Sequence, residues 1–127
     1  MWLSVTRDQE GRSGLLNVSI EDVLYLESDF EKWVRVHTRE EHFYIAGTLI
    51  YWTNAFQAAG HAFQKVDRNI VVHEPKIKRL DPVFAMAYFD CEIDKHAKKI
   101  TLAQKYYKEL VRKAGQHELT IMIAAAT

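Results

Sequence analysis

Arg68 and Asn69 carry the planar donor groups that best match base edges and phosphates. They stand side by side inside Phe63-Gln64-Lys65-Val66-Asp67-Arg68-Asn69-Ile70-Val71-Val72-His73. An apolar anchor, Phe63, comes first, then a polar knot, Asp67-Arg68-Asn69, then a tight apolar run, Ile70-Val71-Val72. A polar knot at a bend just before a buried strand points to recognition rather than catalysis, and to nucleic acid as what is recognised. The Arg68 fork suits guanine O6/N7 or a phosphate, and its bland alternative is a salt bridge to Asp67 or another surface carboxylate. Asn69 either joins the contact or only satisfies the backbone of the bend.

Other chemistry-bearing residues are less well placed. Six histidines are scattered, with His37 and His42 as cross-strand neighbours of one hairpin, and none shows the helical pair spacing or the cysteine company of a zinc site. Asp90, Glu92 and Asp94 alternate along one strand face, where carboxylates commonly blunt an edge. Neither they nor the Glu40-Glu41 pair come with a Gly-rich phosphate loop or an activated nucleophile. No catalytic residue, metal or cofactor is expected.

The chain has 127 residues, 48% hydrophobic content and one cysteine, Cys91. That suffices for one domain with one core and excludes an internal disulfide. No apolar run is long enough to cross a bilayer, and the charged, alternating start is unlike a signal peptide, so a cytoplasmic protein without a membrane partner is expected. The net charge is zero, yet residues 1–60 carry five Lys/Arg against nine Asp/Glu, and residues 61–127 carry twelve against eight. The second half is thus a basic footprint that the total hides, although charge also fluctuates along any sequence.

The elements that must position these residues are short. Leu3–Thr6, Leu15–Ile20 and Val23–Glu27 read as strands, with a turn at Gly11–Gly14. Ser28–Lys32 reads as a polar loop. Trp33–Thr38 alternates, so Val34 and Val36 face inward, and His42–Ala46 returns as the hairpin partner. Leu49, Trp52 and Phe56 share one face of a helix that Thr48 caps and Gly60 ends, with Trp52 and Phe56 in the core. Phe63–Val66 and Ile70–Val72 flank the polar knot, and Pro75 bars a helix after it. Ile77–Leu80, Phe84–Asp90, Glu92–Asp94 and Lys99–Leu102 are further strand candidates. Ala103–Lys113 is a basic helix striped by Tyr106, Leu110 and Val111, which Gly115 closes. Leu119–Ala126 is an unbroken apolar tail that either adds an edge strand or packs on a second subunit. The spacing predicts a mainly β single domain over residues 1–127 with two short helices.

Three blocks resemble the LytTR-type DNA-binding domain of bacterial transcription regulators. They are Ile20–Glu27, ending in an acidic residue; Phe63–His73; and Ile100-Thr101-Leu102-Ala103-Gln104-Lys105-Tyr106, before the last helix. The likeness covers residues 15–113 and leaves the tail 116–127 outside. It implies stacked antiparallel β-sheets whose loops, rather than a recognition helix, enter DNA grooves. Carried over, the contacts are Lys32 and Trp33 in the loop Asp29–Trp33, Arg68 backed by Asn69, and Lys105 with Gln104 beside it. Lys105 at the start of a helix is suited to a phosphate, or is a solvated lysine among its neighbours; Gln104 suits adenine. Trp33 is an interface residue or packs on Phe30 or Tyr44. Asp67 stands where the family has His, His73 where it has Asn, and Ala103 and Gln104 where it has Ser and Arg. A receiver domain commonly precedes this domain in the family; only some 14 residues precede the likeness here, so a stand-alone regulator is expected.

The expected function is sequence-specific binding of double-stranded DNA, on repeated half-sites and as a homodimer, with Lys32–Trp33, Arg68 and Lys105 on one face. The rival is a non-catalytic protein-interaction module of the same fold, with Asp67, Ala103 and Gln104 marking lost DNA contacts.

Overall fold

The computed structural model describes residues 1–29, 32–90, 95–116 and 118–123. These form two compact units, residues 1–73 and 74–127.

The first unit begins with a hairpin of β1 (Trp2–Val5) and β2 (Leu16–Ser19), antiparallel with Leu3 opposite Val18. Alternation turns Leu3 and Val5 inward. Between the two strands, the Asp8 carboxylate accepts the main-chain N–H groups of Arg12 and Ser13 and the Ser13 hydroxyl. The Ser13 bonds above all hold its pKa down at about 2. A five-stranded sheet follows, in the order β5-β4-β3-β7-β6. Its strands are β3 (Tyr25–Ser28), β4 (Trp33–His37), β5 (His42–Ala46), β6 (Phe63–Asp67) and β7 (Ile70–His73), all paired antiparallel. Thr6 and Tyr44 exchange main-chain bonds of 3.1 and 2.8 Å, tying the first hairpin to the outer edge of β5.

One face of the larger sheet is apolar because β-branched and aromatic residues fall in register across it. Leu26 lies opposite Val36 and Val71, and Val36 opposite Phe43. Leu3, Val5, Val18 and Ile20 join this cluster, and so do Phe56 and Phe63. The inward placement of Val34 and Val36 is as the alternation predicts; both are fully buried. Helix α1 (Leu49–Ala58) is capped by Thr48, whose hydroxyl accepts the Tyr51 N–H at 3.1 Å. It buries Phe56 completely and packs Trp52 partly against the cluster. Phe56 stacks on Phe63, and Phe63 on the His73 ring at 4.4 Å. The His73 Nδ1 lies 2.9 Å from the Val23 carbonyl, an acceptor, so Nδ1 carries the proton. His73 is therefore a buried structural residue.

The second unit pairs β8 (Arg79–Asp81), β9 (Met86–Tyr88) and β10 (Lys99–Thr101) antiparallel. Helix α2 (Gln104–Gly115) buries Leu110 completely. The tail supplies a two-residue strand, β11 (Met122–Ile123), parallel to β8 at the sheet edge. Of the two expectations for the tail, the edge strand is the one formed within this chain. Glu74, at the start of the unit, is buried; its carboxylate accepts the Tyr106 hydroxyl and, at 2.9 Å, the Lys113 ammonium.

Three local expectations are corrected. Phe84 does not begin a strand: Asp81 accepts the Val83 and Phe84 N–H groups, a turn that Pro82 favours, and Phe84 is exposed. Ile77 is buried but precedes β8, its N–H bonded to the Glu74 carbonyl after the 3₁₀ turn Glu74–Lys76. Gly115 does not close α2; it is the last helical residue, and Gln116 caps the helix. The expected strand Glu92–Asp94 lies outside the described residues.

Candidate nucleic-acid interface

Arg68 and Asn69 form the two-residue turn between β6 and β7, closed by the Asp67–Ile70 pair. A register shift between Lys65 and Asp67 bends β6 just before the turn. The Asp67 carboxylate accepts the main-chain N–H of Arg68 at 2.7 Å. It fixes the turn in this way and does not pair with the guanidinium. Among the described residues no carboxylate engages the Arg68 side chain, which is exposed. The salt bridge to Asp67 is thus not formed.

Lys32 and Trp33 close the loop that leads from β3 into β4. Asp29 organises this loop. Its N–H bonds to the Trp33 carbonyl at 3.4 Å, one carboxylate oxygen accepts the Trp33 N–H, and the other accepts the Gln9 amide at 2.8 Å. Lys32 sits at φ +73°, a left-handed conformation uncommon outside glycine. Its carbonyl accepts the Gly47 N–H at 3.0 Å. Lys32 is exposed and Trp33 half-buried at the first position of β4.

The loop and the turn meet at one end of the five-stranded sheet. The Ser28 N–H, at the end of β3, donates to the Asn69 carbonyl at 2.9 Å, and Asp29 follows directly. Lys32, Trp33, Arg68 and Asn69 are therefore gathered by main-chain bonds, with the start of α1 beside them through Gly47. Gly47 itself has φ +115°, and a Cβ there would stand 3.1 Å from the Trp52 indole nitrogen. That nitrogen donates to the Ala46 carbonyl at 2.8 Å. A side chain at this junction between the loop and α1 is strained by the backbone and crowded by the indole.

Gln104 and Lys105 lie in the second unit, as the first two residues of α2, and both are exposed. Ala103 is the N-cap, with extended backbone and no side-chain cap bond. The first-turn amides of α2 therefore lack the acceptor that Ser, Thr, Asp or Asn supplies. The bond from the Leu102 N–H to the Ala85 carbonyl, 2.8 Å, anchors the approach to the helix.

Sequence reasoning placed Asp29 in the contact loop but missed its bonding role, and it missed Gly47, Ser28 and Lys65 at this end of the first unit. Lys65 left a signal: it shares the alternation of the fully buried Phe63, yet is charged and exposed. Asp29 and Gly47 act through bonds to residues distant in pattern and left none.

No helix among the described residues is long and apolar enough to cross a membrane. No curated protein matches the chain. A solved structure does: the LytTr DNA-binding domain of a Bacillus cereus protein described as a methyl-accepting/DNA response regulator. It is 17% identical with a TM-score of 0.60, over 90% of this chain and 96% of that one, a likeness of fold. The sequence pattern of the LytTr DNA-binding domain matches residues 13–115, which take in the loop before β4, the Arg68–Asn69 turn and the start of α2. With a match of that extent, and antiparallel sheets and two helices arranged like those of a solved member, this chain belongs to the LytTr DNA-binding domain family.

Proposed function

We propose that this chain regulates transcription by binding duplex DNA sequence-specifically through loops. The observation that carries the reading is the gathering of Lys32, Trp33, Arg68 and Asn69 at one end of the five-stranded sheet, with the Arg68 guanidinium unengaged by any described carboxylate. Arg68 reads a base edge, and Asn69 supports it or adds a second contact. Lys32 neutralises a phosphate, and Trp33 lends an amphipathic surface. In the second unit, Lys105 and the uncapped amides of α2 hold another phosphate, and Gln104 stands beside them for a base contact. Ala103 at the N-cap offers no side-chain acceptor, which leaves those amides to the nucleic acid.

One such small module has few contacts, so two copies on repeated half-sites are the working form. The reading excludes catalysis and needs no cofactor. Selection of bound sequences from random duplex DNA tests it. A recurrent motif, repeated at a fixed spacing, is expected. Recovery of no motif, with equal binding to every duplex, overturns sequence-specific reading and leaves the protein-interaction module.

A further inference from the structure

The turn that carries Arg68 and the first turns of α1 enclose a cleft of about 290 Å³ in the first unit. That is near the lower end of the roughly 300–1,000 Å³ typical of small-molecule sites. Its lining falls into three parts. Leu49, Ile50 and Val71 are apolar. Ser28, Thr48, Thr53, Asn54 and Asn69 bring hydroxyl and amide groups. Lys65 and Arg68 bring two positive charges, and no lining residue is acidic.

The two cations are not neutralised locally. Among the described residues neither Lys65 nor Arg68 has an ion-pair partner, and both are exposed. Two neighbouring cations without a counter-charge repel each other, and an anion between them relieves that repulsion. The hydroxyls have defined roles. Thr53 donates to the Leu49 carbonyl at 2.7 Å, so its hydroxyl is not a donor to an anion. Thr48 accepts the Tyr51 N–H, which leaves its own proton for a ligand oxygen. Beside this polar end lies the wall of Leu49, Ile50 and Val71, and Ile50 is 70% exposed, an apolar side chain without cover. An inorganic ion reaches only the charged end. A ligand that uses the whole cleft has an anionic head and an apolar body.

We propose that this cleft binds a small organic anion, a phosphate monoester or carboxylate with an apolar group, and that its occupancy competes with DNA for Arg68. The competition rests on the DNA reading above; the binding does not. An anion held by Lys65 and Arg68 occupies the guanidinium that base reading requires. The coupling is reciprocal, so DNA weakens the anion by the same factor.

Phenyl phosphate is the probe, with benzyl alcohol and inorganic phosphate as controls, titrated into the full chain and followed by calorimetry and amide chemical shifts. Phenyl phosphate is expected to bind and to shift Leu49, Ile50, Lys65 and Arg68, and benzyl alcohol is not. Inorganic phosphate is expected to bind about tenfold more weakly, as one lost apolar contact predicts. Lys65→Gln and, independently, Asn54→Asp are expected to weaken phenyl phosphate by about tenfold or more, the loss of a charge-assisted bond and the gain of a like charge. Both positions are exposed, so neither substitution threatens the fold. Equal affinity for inorganic and phenyl phosphate overturns the proposal, because the cleft is then a bare phosphate contact. So does binding indifferent to both substitutions.

Duplex affinity measured with and without saturating phenyl phosphate completes the test, with a fall of about tenfold expected. Duplex binding without phenyl phosphate binding removes the cleft and spares the DNA reading. Phenyl phosphate binding without duplex binding does the reverse. Both ligands bound at once without mutual effect overturn the competition.

Discussion

Asp67 turns its carboxylate to the Arg68 main-chain N–H, and among the described residues no carboxylate pairs with the Arg68 guanidinium. The acidic residue that departs from the family pattern is a turn-former in the fold. Arg68→Ala is expected to cost about 1–3 kcal/mol in specific binding and to relax preference at one base position. Anisotropy titrations on specific and random duplexes check this, and equal losses on both reduce Arg68 to a phosphate clamp. Lys105→Ala is expected to weaken all duplexes alike and to lower the salt slope by about 0.9. A slope that stays put across a salt series shows that Lys105 touches no phosphate. Two tyrosines with raised pKa give a pH prediction. Burial raises the Tyr106 hydroxyl above its ordinary pKa of 10.0, helped by its bond to Glu74. Burial, with the Glu27 charge, raises Tyr25 to about 12. Folding therefore favours the neutral phenols. Their contribution is complete below pH 10, the unfolded pKa, and is lost as pH rises through the folded values. Urea midpoints are expected to fall steadily above pH 10. Tyr106→Phe is expected to reduce that fall, and an undiminished fall assigns the alkaline loss to other groups.

Among the elements, Gly47 joins the Lys32 loop to α1, bonding the Lys32 carbonyl through its N–H while leaving room for the Trp52 indole. Gly47→Ala is expected to cost about 1–3 kcal/mol from backbone strain alone. Urea denaturation measures it, and a loss under about 0.4 kcal/mol, within the range of a harmless Gly→Ala exchange, shows that the junction adapts. What the sequence revealed follows from range. The β4–β5 hairpin was legible because alternation sets its buried face, and α1 because Thr48 and the Leu49, Trp52, Phe56 spacing are local signals. The Arg68–Asn69 turn was legible because polar residues interrupt two apolar runs. β11 as a parallel partner of β8 was not, because a two-residue strand exists only through pairing with residues some forty positions away. The left-handed Lys32 was not, since lysine carries no preference for that conformation. The buried Glu74 left no signal, because its partners, Tyr106 and Lys113, come from α2 and depend on tertiary packing.

For the whole molecule the tail poses the remaining question. β11 pairs on one side with β8 and ends its sheet, and Met122 and Ile123 are 51% and 42% exposed. An open strand edge bearing exposed apolar side chains is a contact surface in waiting. The full chain is expected to dimerise at high concentration, symmetrically, and a chain ending at Gly115 to remain monomeric. Light scattering on both decides. Equal monomer masses remove self-association through the tail, and a truncated chain that no longer folds makes β11 essential to the second unit.

The Arg68–Asn69 turn is held at both ends by main-chain atoms, through the Asp67–Ile70 pair and the Ser28 N–H to the Asn69 carbonyl. The Asp67 carboxylate adds one side-chain bond to this main-chain frame. The frame therefore uses no side-chain atom of positions 68 and 69 in these bonds, although it does need the N–H at position 68. Operator preference can drift by point substitution there while the scaffold stays unchanged, and a library varied at these two positions alone would yield folded proteins with new target sites.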